Sequence, residues 1–320
     1  MQYVYGPIPS RRLGQSLGVD PIPLKTCNWN CIYCQLGRTF PLINERGEWA
    51  PRAAIVAEVA QAVAAHPPHS IDHVSFVGSG EPTLHEGLGW MVREVKRLTA
   101  IPVAVITNGA LLGDAQVRAE LLAADVVMPT LTAGTEDLFR RIHRPHPELT
   151  LESMVAGLEK FRQEYRGQLW IEVMLMRGVN DDDAALHALA AQVRRIQPDQ
   201  VHLIAPERPA AEPWVESADA EGTMRATAIL GNAATVVHPA GSGFDLSGHA
   251  TLLEAIYAIL VRHPISEEQL AQALVAYPAS EAAATLAALA ESDQVRVLTR
   301  HGLRFWTVAE QRFSENGKPA

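Results

Sequence analysis

Cysteine is nearly missing from this chain of 320 residues: there are three, all between Cys27 and Cys34. An odd count confined to one short stretch excludes the disulfide framework that staples small secreted domains. Positive charge is also short. Lys and Arg number 27 against 36 Asp and Glu, a formal net charge of −9, which opposes indiscriminate attraction to nucleic acid or anionic lipid. No apolar run reaches the roughly 18–20 residues of a membrane span; Leu252 to Val261 comes nearest and carries Glu254. Met1 to Arg12 hold prolines and arginines where a secretory leader has its apolar stretch, so the expectation is a cytoplasmic protein with no membrane partner. Internal repeats are absent as well. What remains is an ordinary globular composition, 48% hydrophobic and 20% charged, with chain enough for about two domains.

From His73 onward the chain alternates short β-branched runs with helix-spaced segments. The strand candidates are His73 to Val77, Val103 to Thr107, Asp125 to Leu131, Leu169 to Met176, Val201 to Ala205 and, more weakly, Thr235 to His238. Helical spacing fills Ala53 to Ala65, Gly87 to Thr99, Asp114 to Ala123, Glu136 to Ile142, Leu151 to Tyr165, Asp182 to Ile196 and Ala218 to Leu230. Such alternation implies parallel strands with right-handed crossovers, an α/β sheet or barrel whose site lies at the C-terminal strand ends. The pattern stops at the small residues of Ser242 to Gly248, which suit a linker. Beyond it, His249 to Arg262 reads as a helix closed by Pro264, Ser266 with Gln269 opens a second as a capping box, and Ser280 caps a third over Glu281 to Glu291. Val295 to Thr299 and Leu303 to Val308 flank Arg300, His301 and Gly302 as a hairpin. Three helices and a two-stranded wing predict a winged-helix module, dividing the chain into a catalytic domain, 1–245, and a module with its tail, 246–320.

The densest chemistry is Thr26-Cys27-Asn28-Trp29-Asn30-Cys31-Ile32-Tyr33-Cys34, three thiols spaced C-x3-C-x2-C. Small buried core residues and a zinc site are alternatives to a functional cluster. Asn28, Asn30, Pro21 and Pro23 favour a loop over a helix face, and neither a histidine nor a fourth cysteine lies near to complete zinc. Three thiolates fit a [4Fe–4S] cluster, which normally takes four and here keeps one iron open to a small molecule.

At these residues the sequence resembles the radical S-adenosylmethionine (SAM) superfamily, with Tyr33 as the aromatic residue of its cysteine signature. The resemblance implies a partial (β/α)6 barrel, a [4Fe–4S] cluster on Cys27, Cys31 and Cys34, and SAM as cofactor, cleaved by a cluster electron to a 5′-deoxyadenosyl radical that abstracts hydrogen from substrate. A low-potential donor such as flavodoxin or ferredoxin would supply that electron. Gly78-Ser79-Gly80-Glu81-Pro82 looks like the family's glycine-glycine-glutamate-proline turn for the SAM amino group, with serine at one glycine. By the same resemblance, Thr107 and Asn108, and Thr130 and Thr132, take positions that contact SAM. Glu172, on the strand opposite, is placed either to hydrogen-bond the SAM ribose or to face solvent in an alternating strand. Gly6 to Gly14, Ile142 to Pro145, Gly178 to Asp181 and Pro206 to Pro209 are similar to a subgroup that includes wyosine-type tRNA-modifying enzymes. Two features depart from it. Thr130-Leu131-Thr132 replaces a segment that often ends in aspartate, and no cysteines remain for a second cluster.

Arg11, Arg12, Arg144 and Arg208 are the candidates for holding an anionic substrate, because guanidinium forks grip phosphate or carboxylate bidentately. RNA is the leading substrate class, a docked peptide or protein the alternative, and an iron–sulfur-sensing transcriptional regulator the reading of another class. Sequence-specific DNA binding is not expected. Glu281 to Glu291 contains no lysine or arginine, residues 246–320 hold six basic and eight acidic residues, and Arg296, Arg300 and Arg304 are the only cations of the wing. The module is expected to dock a peptide, a protein or the catalytic domain, and its deletion to spare SAM cleavage.

Overall fold

The computed structural model describes residues 1–10, 12–237, 244–246, 249–300 and 302–314. Arg11, His301, most of the Ser242 to Gly248 linker and the tail after residue 314 lie outside the described residues.

The chain opens with an antiparallel hairpin that the sequence reading does not anticipate: β1 (Val4–Ser10) and β2 (Gly14–Val19). Gly6, Pro7, Pro9, Gly14 and Gly18 interrupt the alternation by which strands are recognised. Gly18 is there for packing, since a Cβ on it would stand 2.2 Å from Cζ of Tyr5. A long loop carrying the cysteines then leads into α1 (Arg52–Ala65).

The alternation that follows is close to expectation: β3 (His73–Phe76), α2 (Leu88–Leu98), β4 (Val103–Thr107), α3 (Ala115–Leu121) and β5 (Val126–Pro129). Two helices, α4 (Glu136–His143) and α5 (Leu151–Glu164), precede β6 (Gln168–Met174), and α6 (Asp183–Ile196), β7 (Gln200–Ile204), α7 (Ala220–Leu230) and β8 (Ala234–Val236) complete the run. Strand order follows chain order in one eight-stranded sheet, with every pair from β2 to β8 parallel. The expected six parallel strands are therefore seven, because β2 supplies the first, and the antiparallel β1 forms an edge.

The starts of α3 to α7 are fixed by polar caps. Asp114, Thr135, Thr150, Asp182 and Asp219 each accept a backbone N–H of the first turn, about 1 kcal/mol apiece. The core lies between sheet and helices, where Leu17, Val74, Phe76, Val105, Val127, Ile171 and Val201 are fully buried, as strands covered on both faces require.

The C-terminal unit comprises α8 (Leu252–Leu260), β9 (Ile265–Ser266), α9 (Glu267–Leu274), α10 (Ala279–Glu291), β10 (Val295–Arg300) and β11 (Leu303–Val308). Its own core gathers Leu252, Ile256, Leu260, Leu270, Leu289 and Val308. The Ser266–Gln269 capping box forms in both directions. Ser280 does not cap: α10 starts two residues earlier than expected, at Ala279 behind Pro278, and Pro278 offers no side-chain acceptor. The C-terminal sheet has three strands where the sequence suggests a two-stranded hairpin, since β9 pairs antiparallel with β11 in the order β10-β11-β9.

Candidate active site

The three cysteines lie on the loop after β2, among the C-terminal strand ends, all partly buried and free of disulfides. The loop is held from behind by the end of α4 and the segment that follows it. Asn30 and Ile32 donate backbone N–H groups to the carbonyls of His143 and Ile142, both at 2.9 Å, and His146 donates to Asn28 O at 2.8 Å. Trp29, buried, meets Phe139 edge-on at 5.5 Å and His143 at 4.1 Å between ring centres. The Ile142-His143-Arg144-Pro145 motif is thus a backing for the cysteine loop.

Donors are already aimed at sulfur. Lys25 Nζ is 3.3 Å from Cys34 Sγ, the Trp29 backbone N–H donates to Cys27 Sγ at 3.5 Å, and Asn108 Nδ2 stands 3.9 Å from the same sulfur. His143 Nδ1 lies 3.4 Å from both Cys31 Sγ and the Tyr33 hydroxyl. Burial pushes the Cys27 thiol up to about 12, with the Glu81 charge adding to it. Burial also raises the Cys31 thiol, and the neighbouring Cys34 and Cys27 charges raise it further. Three thiolates so close together repel each other, and bound metal cations reverse that balance. Soft sulfur ligands, mutual repulsion without a cation and N–H donors directed at sulfur all fit an iron–sulfur cluster. Among the described residues no three His, Cys, Asp or Glu side chains converge on a single metal ion.

The Gly78–Pro82 turn stands beside this loop, past the end of β3. Both glycines are required by contact: a Cβ on Gly78 would lie 1.9 Å from Asp20 Oδ1, and one on Gly80 2.0 Å from the Thr26 carbonyl oxygen. Ser79, at the place of a family glycine, is buried with its hydroxyl 2.6 Å from Asp20 Oδ2. Glu81 is buried too, and accepts from Thr83 Oγ1 and Thr107 Oγ1 at 2.6 Å each and from the backbone N–H groups of Thr83 and Asn108 at 3.0 and 2.6 Å. These side chains tie the turn to β4, and it is backbone that the turn can offer a ligand. Asn108 reaches Asn28 Oδ1 at 2.6 Å. Thr132 is buried and accepts from the Met174 N–H at 3.2 Å, while Thr130 bridges Glu172 across β5 and β6.

A cavity of about 330 Å³ opens from this ring. Of the residues expected from the sequence, Arg12, Tyr33, Cys34, Gly78, Glu172 and Arg208 line it. Arg12 is hydrogen-bonded to Glu172, so that carboxylate is already engaged by a guanidinium. Arg208 donates to Gln35 Oε1 at 3.1 Å. Arg144 is held elsewhere: with Arg38 it grips the buried Glu212. Burial works to raise the Glu212 pKa, and the two guanidiniums overcome it and hold the carboxyl below its usual range.

The sequence does not single out Asp20 or Lys25, which have no motif of their own, and gives no role in the site to Asn28 or His143, which lie within motifs. Nor does it show a contribution from the C-terminal unit. His263 lines the cavity, with Nδ1 3.0 Å from Gln35 Nε2. Arg38 N donates to Arg312 O, Ser314 N to Ala211 O at 2.9 Å, and Arg300 to the carbonyls of Pro213 and Val215. Of the neighbouring arginines, Arg296 donates to Gln311 O and Arg304 pairs with Glu267 at 3.2 Å. The C-terminal unit is thus hydrogen-bonded both to the cysteine loop and to residues 211–215.

Comparison with known proteins agrees with this arrangement. Residues 22–190 match the radical SAM superfamily, and the chain belongs to it. The members of that superfamily are enzymes that use a [4Fe–4S] cluster and SAM. A protein of Brachyspira hyodysenteriae named GTPase Obg is 42% identical over 205 residues, which are 64% of this chain and 30% of that one. A UPF0026 protein of Methanocaldococcus jannaschii is 32% identical over 278 residues, 86% of each chain. In fold the chain is similar to a radical SAM methyltransferase from Sphaerobacter thermophilus, at 24% identity and a TM-score of 0.51 over 69% of this chain and 65% of that one.

Proposed function

We propose that Cys27, Cys31 and Cys34 hold the cluster, that SAM lies along the strand ends from Gly78 to Glu172, and that the substrate is an RNA base of the wyosine type. One observation carries the substrate reading. The Gly6 to Gly14 and Pro206 to Pro209 segments, far apart in sequence and both resembling segments of the tRNA-modifying subgroup, bring Ile8, Ser10, Arg12, Pro206 and Arg208 to line one cavity.

When bound, the reduced cluster supplies the electron that cleaves SAM to methionine and a 5′-deoxyadenosyl radical able to take a hydrogen atom from substrate. The chain's own residues do the rest. Lys25, Asn108 and the Trp29 N–H stabilise thiolate charge, and the Gly78–Gly80 backbone offers polar groups where no side chain intrudes. Tyr33 and Glu172 face the cofactor space, and Thr107, Thr130 and Thr132 keep the strand ends in place around it. Ile8, Leu13, Ile106 and Met174 make the cavity largely apolar, which protects a reactive intermediate from water. Arg12 and Arg208, with Arg11 on the same segment, are proposed to meet the phosphates of the RNA. A flavodoxin or ferredoxin in the cytoplasm is the proposed electron donor.

Residues 246–320 are proposed as a winged helix that does not read DNA. Its α10 presents alanines, and its wing cations are engaged within the protein. A peptide substrate is the second reading, favoured by the exposed apolar residues Val275 and Leu286 on this unit, 82% and 37% accessible.

The experiment uses RNA and peptide fractions from cells grown in deuterated medium, each added to anaerobically reconstituted, reduced protein with SAM. Deuterium passing into 5′-deoxyadenosine from the RNA fraction supports the proposal. Transfer from the peptide fraction alone replaces it with the second reading, and SAM binding without any deoxyadenosine turns the account toward an iron–sulfur sensor.

A further inference from the structure

Arg262, just past the end of α8, is buried although it carries a permanent charge. Its Nε is 2.8 Å from Asp20 Oδ2, its two terminal nitrogens donate to Ala258 O at 2.8 Å and Gln2 O at 2.9 Å, and its guanidinium lies 4.7 Å above the centre of the Tyr5 ring. Asp20 is equally buried and turns both oxygens to Ser79, accepting its N–H at 3.1 Å and its hydroxyl at 2.6 Å. The Asp20 carboxyl also packs where a Cβ on Gly78 would go. An unbroken chain of buried polar contacts therefore runs from the C-terminal unit to the turn beside the cysteine loop.

We infer that Arg262 is a positioning residue for SAM: acting through Asp20, it fixes the Gly78–Ser79 backbone against which the cofactor binds, so that SAM affinity depends on the docked C-terminal unit. This rests on the reading that the Gly78–Pro82 turn contacts SAM. The physical reason is the cost of a buried carboxylate. Without the guanidinium, Asp20 keeps neutral donors only, and the buried carboxylate lowers its energy by moving toward water. That movement alters what it offers to Ser79 N–H and Oγ. Serine at this place of the glycine turn is the element that receives the chain, since glycine has no hydroxyl to bond Asp20 Oδ2.

The test compares wild type, Arg262→Gln, Arg262→Lys and Gly78→Ala as full chains carrying reconstituted cluster, with SAM titrated anaerobically by calorimetry and iron counted on the same samples. Arg262→Gln is expected to weaken SAM binding by at least about tenfold, the scale on which outer supporting contacts act, with iron content unchanged. Arg262→Lys, which keeps the charge, is expected to recover part of that loss; a purely structural role would not follow charge in this way. Unchanged SAM affinity in Arg262→Gln, with Gly78→Ala weakened, overturns the inference and leaves the turn as the SAM site. Unchanged affinity in both variants overturns the reading of the turn itself.

Discussion

Replacing Gly80 with alanine places one methyl group against a backbone that has nowhere to go. The new Cβ would lie 2.0 Å from the Thr26 carbonyl oxygen, 2.8 Å from its carbon and 2.6 Å from Ile22 Cγ2. Non-bonded atoms settle near roughly 3.5 Å, so the turn and Thr26 must separate by on the order of 1 Å. That movement breaks the 2.9 Å bond from Glu81 N to Thr26 O and displaces the residue directly before Cys27. Overpacking of this kind costs about 1–3 kcal/mol of stability, and an error of about 1 Å in a reacting geometry lowers rates by about a hundredfold. The assay is 5′-deoxyadenosine formed from SAM by reconstituted, dithionite-reduced protein, with a thermal melt on the same preparation. Gly47→Ala is the control, because its nearest atoms stand 3.8 Å away, and it should behave as wild type. A Gly80→Ala protein that melts and cleaves SAM like wild type would refute the reasoning.

His202 is buried on β7, and burial, reinforced by the charge of Arg12, pushes its pKa down to about 4. A histidine titrating near 6.5 when unfolded then contributes stability that is whole above that pH and is lost as pH falls toward 4, about 3 kcal/mol in all. Urea denaturation between pH 7 and 4 should show a shallower loss in His202→Gln; parallel curves contradict it. Lys25→Met removes the Nζ donor at Cys34 Sγ and should shift the cluster's reduction potential to more negative values, read by electron paramagnetic resonance during redox titration, whereas an unchanged potential rejects the contact. In gel-shift assays from about 50 to 200 mM salt, the full chain should show no sequence-selective affinity for duplex DNA, and nanomolar selective binding would restore α10 as a reading helix.

The parallel part of the fold was legible because strands buried on both faces and helices with polar caps leave strong patterns. Val126–Pro129 is a continuous apolar run, and Asp182 or Thr150 before a periodic segment marks a helix start. The β1–β2 hairpin was illegible for the opposite reason: Gly18 is chosen to seat the Tyr5 ring, so its strand shows no alternation. At the site, the cysteines announced themselves by spacing. Their supporting groups did not, since Asp20, Lys25 and His143 act through contacts set by folding. Glu81 and Ser79 were noticed as members of a turn, yet their side chains proved to be committed to Thr107 and to Asp20. The two ends of the chain meet at Arg262 and Asp20, a separation of 242 residues that local pattern does not span.

The central claim is the cluster on three cysteines, and it is tested most directly by counting metal. Protein reconstituted anaerobically should hold about four irons and four sulfides per chain, and Cys27→Ala, Cys31→Ala and Cys34→Ala should each lose the iron together with SAM cleavage. One zinc per chain without iron in the wild type, or iron retained in any of the three alanine variants, would contradict the account.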